Sequence, residues 1–265
     1  MIRIGLGTTS VLPQRLDDAF RLAAEVGFDG IEVMVTSDRS TQSARTLAEL
    51  SARYRLPVLS IHSPVLLFSS FVWGRNPLVK LERSCALASE LGATTVVAHP
   101  LFAWQRRSAS RLVERVRELE SQFSVAIAVE NLFPARVGAR REAFAPHWNP
   151  GELAVDHLTL DFSHAGMAGM SATTLRDAWG ERLRHVHLCD ASRASGGASL
   201  VDEHLVPGTG VQPVAEILRD LAARDVDGLV VAEINTRACG RDERMRVNRL
   251  ADTLRFARTH LAHPS

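Results

Sequence analysis

The segment His185-Val186-His187-Leu188-Cys189-Asp190 is a short apolar run ending in groups that bind metals, and the glycine-bearing stretch behind it supplies Asp202 and His204. In extended backbone, side chains two apart lie on one face, so Asp202 and His204 can reach one point. Carboxylate and imidazole donors that converge in this way suit a divalent cation. A solvated loop offers the same residue types for ordinary reasons, so this segment alone decides little.

The same chemistry recurs along the chain. His62, His99, Glu130, Asp161, His187 and Glu233 each stand at the end of a run with strand character, and His164 follows inside Asp161-Phe162-Ser163-His164. Each alone has an everyday explanation, as a hydrogen-bonded structural histidine or an ion-paired carboxylate. Buried together without a cation, the carboxylates would repel and be costly to desolvate. A shared divalent ion removes both costs.

Elements that position such residues can be read from the periodicity. Strand patterns cover residues 2–7, 30–35, 57–62, 94–99, 125–130, 157–161, 183–188 and 228–233. Helical spacing covers 16–26, 41–54, 77–91, 110–123, 172–179, 213–223 and 244–260, with a short helix expected near Pro150. Gly27 and Gly92 close the first and third helices. Regular strand–helix alternation is the signature of a parallel sheet, and runs this apolar need cover on both faces. Eight such units predict an α/β fold, a closed (β/α)8 TIM barrel with residues 1–265 as one domain. A doubly wound open sheet is the competing arrangement, but no Gly-x-Gly-x-x-Gly follows the first strand. In a barrel the strand ends named above share one mouth, where active sites sit. The proline-bearing linker 131–149 is long enough to be a functional loop.

Composition narrows the partners. With 31 basic and 30 acidic residues the net charge is +1, which gives no footprint for nucleic acid or an anionic membrane. Three scattered cysteines form no CxxC and no disulfide framework, as expected of a reducing cytoplasm. No targeting segment or membrane span is legible.

The motifs Ile61-His62-Ser63-Pro64, Ala98-His99-Pro100, Val129-Glu130-Asn131, Leu160-Asp161-Phe162-Ser163-His164, His185-Val186-His187-Leu188-Cys189-Asp190 and Ala232-Glu233-Ile234 resemble those of the xylose isomerase-like TIM-barrel superfamily. That group holds sugar and sugar-phosphate isomerases and epimerases, and endonuclease IV. Likeness to the epimerases implies one metal held by Glu130, Asp161, His187 and Glu233, with Glu130 and Glu233 as the acid–base pair. Such proton transfer asks for a glutamate pKa tuned toward neutrality.

Likeness to endonuclease IV implies a fuller zinc set of His62, His99, Glu130, Asp161, His164, His187, Asp202, His204 and Glu233. Val65, Leu101-Phe102 and Phe162 stand where that enzyme's pattern carries other residues, which argues against duplex DNA as substrate. The expectation is therefore a divalent-metal-dependent isomerase or epimerase of a small sugar or sugar phosphate. A multinuclear zinc phosphoester hydrolase is the alternative. Zinc or manganese leads as the cofactor, with magnesium also compatible.

Loop arginines, among them Arg106, Arg107, Arg136, Arg140, Arg141, Arg193 and Arg237, would suit a substrate phosphate. His62, His99, Arg193 and Arg237 are the candidate substrate contacts. A homo-oligomer, with the 131–149 loop as lid or contact, is compatible with the sequence.

Overall fold

In the computed structural model, the described residues are 2–64, 69, 71–134, 147–192, 201–224 and 227–262. Eight short runs of mostly branched apolar residues form strands: β1 (Arg3–Gly7), β2 (Gly30–Met34), β3 (Val58–His62), β4 (Thr95–Ala98), β5 (Ala126–Glu130), β6 (His157–Asp161), β7 (Leu183–Leu188) and β8 (Leu229–Ala232). Each pairs in parallel with the next, and β1 closes on β8 through Arg3 with Leu229 to Leu6 with Ala232. The result is a closed (β/α)8 barrel, as the alternation predicts.

The intervening helices are α1 (Leu16–Val26), α2 (Ala44–Tyr54), α3 (Pro77–Leu91), α4 (Arg106–Ala109), α5 (Leu112–Phe123), α6 (Phe162–Ala168), α7 (Ala172–Trp179), α8 (Val214–Ala223) and α9 (Glu243–Leu261). Local chemistry sets their ends. The Asn76 side chain accepts from Leu78 N, Pro77 fills the first turn, and Gly92 ends α3 at φ +68°. The buried faces of these helices cover the outer faces of the strands in one continuous apolar cluster.

The helix expected over 110–123 is α5 preceded by the short α4, and Pro150–Glu152 is a single 3-10 turn rather than an α-helix. Helix α6 was not expected. It starts because the Asp161 carboxylate caps it, accepting from His164 N at 2.7 Å.

The lumen changes character along the barrel. Leu59, Leu229 and Val231 pack together in a small cluster apart from the main core. A side chain on Gly30 would meet Leu59 Cγ at 2.4 Å, so that strand position has room only for glycine. Beyond this apolar plug the lumen becomes polar. Glu32 on β2, Ser60 on β3 and His185 and His187 on β7 contact one another there. Strands β2 and β7 are not neighbours in the sheet, so that contact can only cross the lumen.

Candidate metal centre

Glu130 ends β5 and is 1% exposed, and its carboxylate is ringed by imidazoles. His99 Nε2 lies 2.8 Å and His62 Nε2 3.2 Å from Oε2, while His187 Nδ1 lies 3.0 Å and His164 Nδ1 3.2 Å from Oε1. These histidines come from the ends of β3, β4 and β7 and from α6, so the converging strand ends bring them together.

His187 is the second focus. Besides Glu130, its Nδ1 faces Glu233 Oε2 at 2.9 Å and Asp161 Oδ2 at 3.7 Å. Glu233 directly follows β8, and Thr9 Oγ1 donates to its other oxygen at 2.9 Å. Asp161 is fixed from behind, because its N–H donates to Asn131 Oδ1 and its carbonyl accepts from Asn131 Nδ2.

Asp202 and His204 reach the same neighbourhood along their loop. His204 Nε2 is 2.9 Å from Asp202 Oδ1, and His164 Nε2 is 3.8 Å from Asp202 Oδ2. Ser163 Oγ donates to Asp202 Oδ1 at 2.7 Å. Several triads, including His62–Glu130–His187, Glu130–Asp161–His164 and His164–Asp202–His204, hold ligand atoms within 4.8 Å of one another.

Charge follows from this packing. Burial pushes the Glu130 carboxyl up, but His187 and His99 outweigh it and hold the group well below the usual range. Burial likewise opposes ionisation of Glu233, and His187 prevails, leaving it at about 2. Neither glutamate is near neutrality with imidazoles alone around it, contrary to the expectation from proton transfer. The physical reason is that each carboxylate faces imidazolium charge at hydrogen-bond distance.

Asp161 is the carboxyl pushed up, by its burial. For the histidines, burial disfavours charge at His187 and His164. The surrounding carboxylates reverse this, raising His187 well above its ordinary value and His164 to about 10.

A divalent cation fits this donor set. Hard carboxylate oxygens and borderline imidazole nitrogens meet in a buried space, and His99 Nδ1 is buried without a hydrogen-bond partner. The chain matches the xylose isomerase-like TIM barrel family over residues 20–260. It belongs to that family.

An uncharacterized protein of Mycobacterium tuberculosis is 43% identical, covering 98% of each chain. Fructoselysine 3-epimerase of Escherichia coli O157:H7 is 23% identical over 83% of this chain and 86% of its own length. The crystal structure of the IolI protein, solved with a zinc atom, superimposes with a TM-score of 0.73 at 19% identity, covering 97% of this chain and 99% of that one. Sugar epimerases are thus among its relatives, and the shared fold is a barrel.

Within the family frame, the remaining expected residues divide. Arg237 is exposed in the 3-10 turn that follows β8. Arg193, Arg136, Arg140, Arg141 and Val65 lie outside the described residues, as does most of the 131–149 loop. Of Arg106 and Arg107 only the backbone is described, in α4. No helix among the described residues is long and apolar enough to cross a membrane.

Glu32 and His185 belong to the polar lumen but were not among the expected site residues. Glu32 Oε1 accepts from His187 Nε2 at 3.0 Å, and Ser60 Oγ donates to Oε2 at 2.6 Å. His185 Nε2 is 3.0 Å from the same Oε2 yet misaligned for a hydrogen bond. A signal was present in the sequence. A carboxylate in mid-strand of a sheet covered on both faces has to point into the lumen and find partners there.

Proposed function

We propose that the protein is a divalent-metal-dependent epimerase or isomerase of a small sugar or sugar phosphate. One observation carries this reading: Glu130, Glu233 and Asp161 face the single nitrogen Nδ1 of His187 at 3.0, 2.9 and 3.7 Å. An imidazole N–H satisfies one acceptor, whereas a divalent ion takes a ring of donors. Glu130, Asp161, His187 and Glu233 would hold that ion. When bound, it would polarise a substrate carbonyl and stabilise the negative charge that develops as the neighbouring proton leaves.

The two glutamates divide the proton work. Glu233 has 13% of its side chain exposed against 1% for Glu130, so it is the carboxylate more open to the mouth. Glu233 takes the α-proton and releases it to solvent, and Glu130, from a strand not adjacent to β8, relays to the other side a proton drawn from solvent, so that both carboxylates end the cycle ionised. Thr9 holds Glu233 in place. His62 and His99 offer further donors to substrate oxygens, and Arg193 and Arg237 suit a phosphate. The epimerase relative supports the reaction class, and the zinc held by IolI supports zinc, which imidazole donors favour, while the carboxylates also suit manganese or magnesium.

The test is proton exchange. Metal-loaded protein incubated in D2O with a panel of ketohexoses and their phosphates should wash deuterium into the carbon next to the carbonyl. Glu233→Gln should lose exchange and keep the metal. Full exchange in that variant removes Glu233 as the base.

A second reading, phosphoester hydrolysis, is favoured by donors beyond those one ion needs: His62 and His99 on Glu130, and His164, Asp202 and His204 beside them. Cleavage of abasic-site DNA or bis(p-nitrophenyl) phosphate without any proton exchange would put the hydrolase in its place. Ion count alone does not separate the two.

A further inference from the structure

We propose that Cys189 is a thiolate ligand of a second, zinc-selecting metal site formed with Asp161 and His204. The three residues come from separate pieces of chain. Asp161 ends β6, Cys189 follows the last residue of β7, and His204 lies on the loop before α8. Their ligand atoms nonetheless lie within 4.8 Å of one another, and Cys189 is fully buried. Its Sγ is 3.9 Å from each carboxylate oxygen of Asp161.

His204 is prepared for ligation in two ways. Its backbone sits at φ +43°, a left-handed conformation that costs a histidine energy and persists only where surrounding contacts enforce it. Its Nδ1 donates to Glu233 O at 2.6 Å, which fixes the ring and leaves Nε2 as the coordinating nitrogen. Asp202 Oδ1, 2.9 Å from that Nε2, borders the same space.

Three protein donors with a further position open is the pattern of a reactive rather than a purely structural zinc site. A sulfur donor also changes selectivity. Thiolate favours zinc or cobalt and disfavours magnesium and manganese, so this site would discriminate where the carboxylate-rich first site would not. The ordinary alternative is that Cys189 fills space as a small apolar residue.

This inference rests on the proposed first site, since Asp161 borders both. Cobalt(II) titration with absorption spectroscopy separates their fates. At saturation the protein should bind two ions, and a sulfur-to-cobalt charge-transfer band should appear. Cys189→Ser should lose the band and one ion while retaining the other, and Cys85→Ser and Cys239→Ser should keep both.

A band surviving in Cys189→Ser, or no band at any loading, overturns the second site and leaves the first standing. No cobalt bound at all overturns both. If Cys189→Ser does not fold, zinc-edge X-ray absorption on the unmodified protein decides: a sulfur neighbour at about 2.3 Å is expected, and only nitrogen and oxygen neighbours would refute it.

Discussion

Glu32 Oε1 accepts a hydrogen bond from His187 Nε2 at 3.0 Å across the barrel lumen, while Nδ1 of the same ring faces Glu130 and Glu233. One imidazole therefore joins two polar layers. Burial works against the Glu32 charge, but His187 and His185 hold the carboxyl well below its usual range, so it stays an acceptor. That fixes the proton of His187 on the lumen side and turns the other nitrogen toward the mouth.

Glu32→Gln should then weaken divalent-metal binding at the first site by about 10–100-fold, the typical effect of losing a carboxylate behind a ligating histidine. Competition with a chelator measures this directly. Affinity within twofold of the unmodified protein would mean that Glu32 merely fills the lumen.

The histidines also predict a pH profile. His164 is raised to about 10 against an ordinary value near 6.5, chiefly by Asp161 and Glu130 overcoming burial. A group whose folded pKa is raised stabilises the fold fully below its unfolded pKa, and the contribution is lost as pH rises through the folded one. Metal-stripped protein should thus lose thermal stability between about pH 6.5 and 10. Metal affinity should run the opposite way, rising over the same window as protons stop competing for His164 and His187. Thermal melts with and without zinc, and proton release on zinc addition, check the two signs. A Tm of the stripped protein that climbs with pH would contradict the assignment.

The barrel was legible because each strand is a short apolar run, each followed by helical spacing or a glycine, and closure needed only the count of units. The histidines and acids at strand ends were legible for the same reason, since a TIM barrel gathers those ends wherever they fall in sequence. Glu32 was overlooked because it stands in mid-strand in Gly30-Ile31-Glu32-Val33, whereas the expected site acids of the strands stand at strand ends, and its partners His185 and His187 reach it only across the lumen. Helix α6 was hidden because it is short and contains Gly166, so its periodicity is weak. Its start depends on Asp161 serving as a cap as well as a site carboxylate. The role of Asp190 was equally hidden, since a strand-end aspartate looks like one more ligand.

Asp190 instead builds the loop. It is 1% exposed, and its Oδ1 accepts from Ala191 N and Gln212 N while Oδ2 accepts from Gly208 N and Gly210 N, at 2.8 to 3.0 Å. Its backbone also bridges to Leu205, next to His204. Asp190→Ala strands these N–H donors, those of Ala191 and Gln212 in a buried setting, and should cost roughly 3 kcal/mol.

A Cβ on Gly210 would stand 2.4 Å from both Asp190 Oδ1 and Ala191 O, so Gly210→Ala should cost about 1–3 kcal/mol by the same route. Urea unfolding measures both. The barrel strands need neither residue, so far-ultraviolet circular dichroism should change little, while metal held through His204 should be lost before metal held by Glu130 and Glu233. Equal loss at the two sets would mean that the loop and the strand ends form one cooperative unit, with Asp190 holding up the whole mouth.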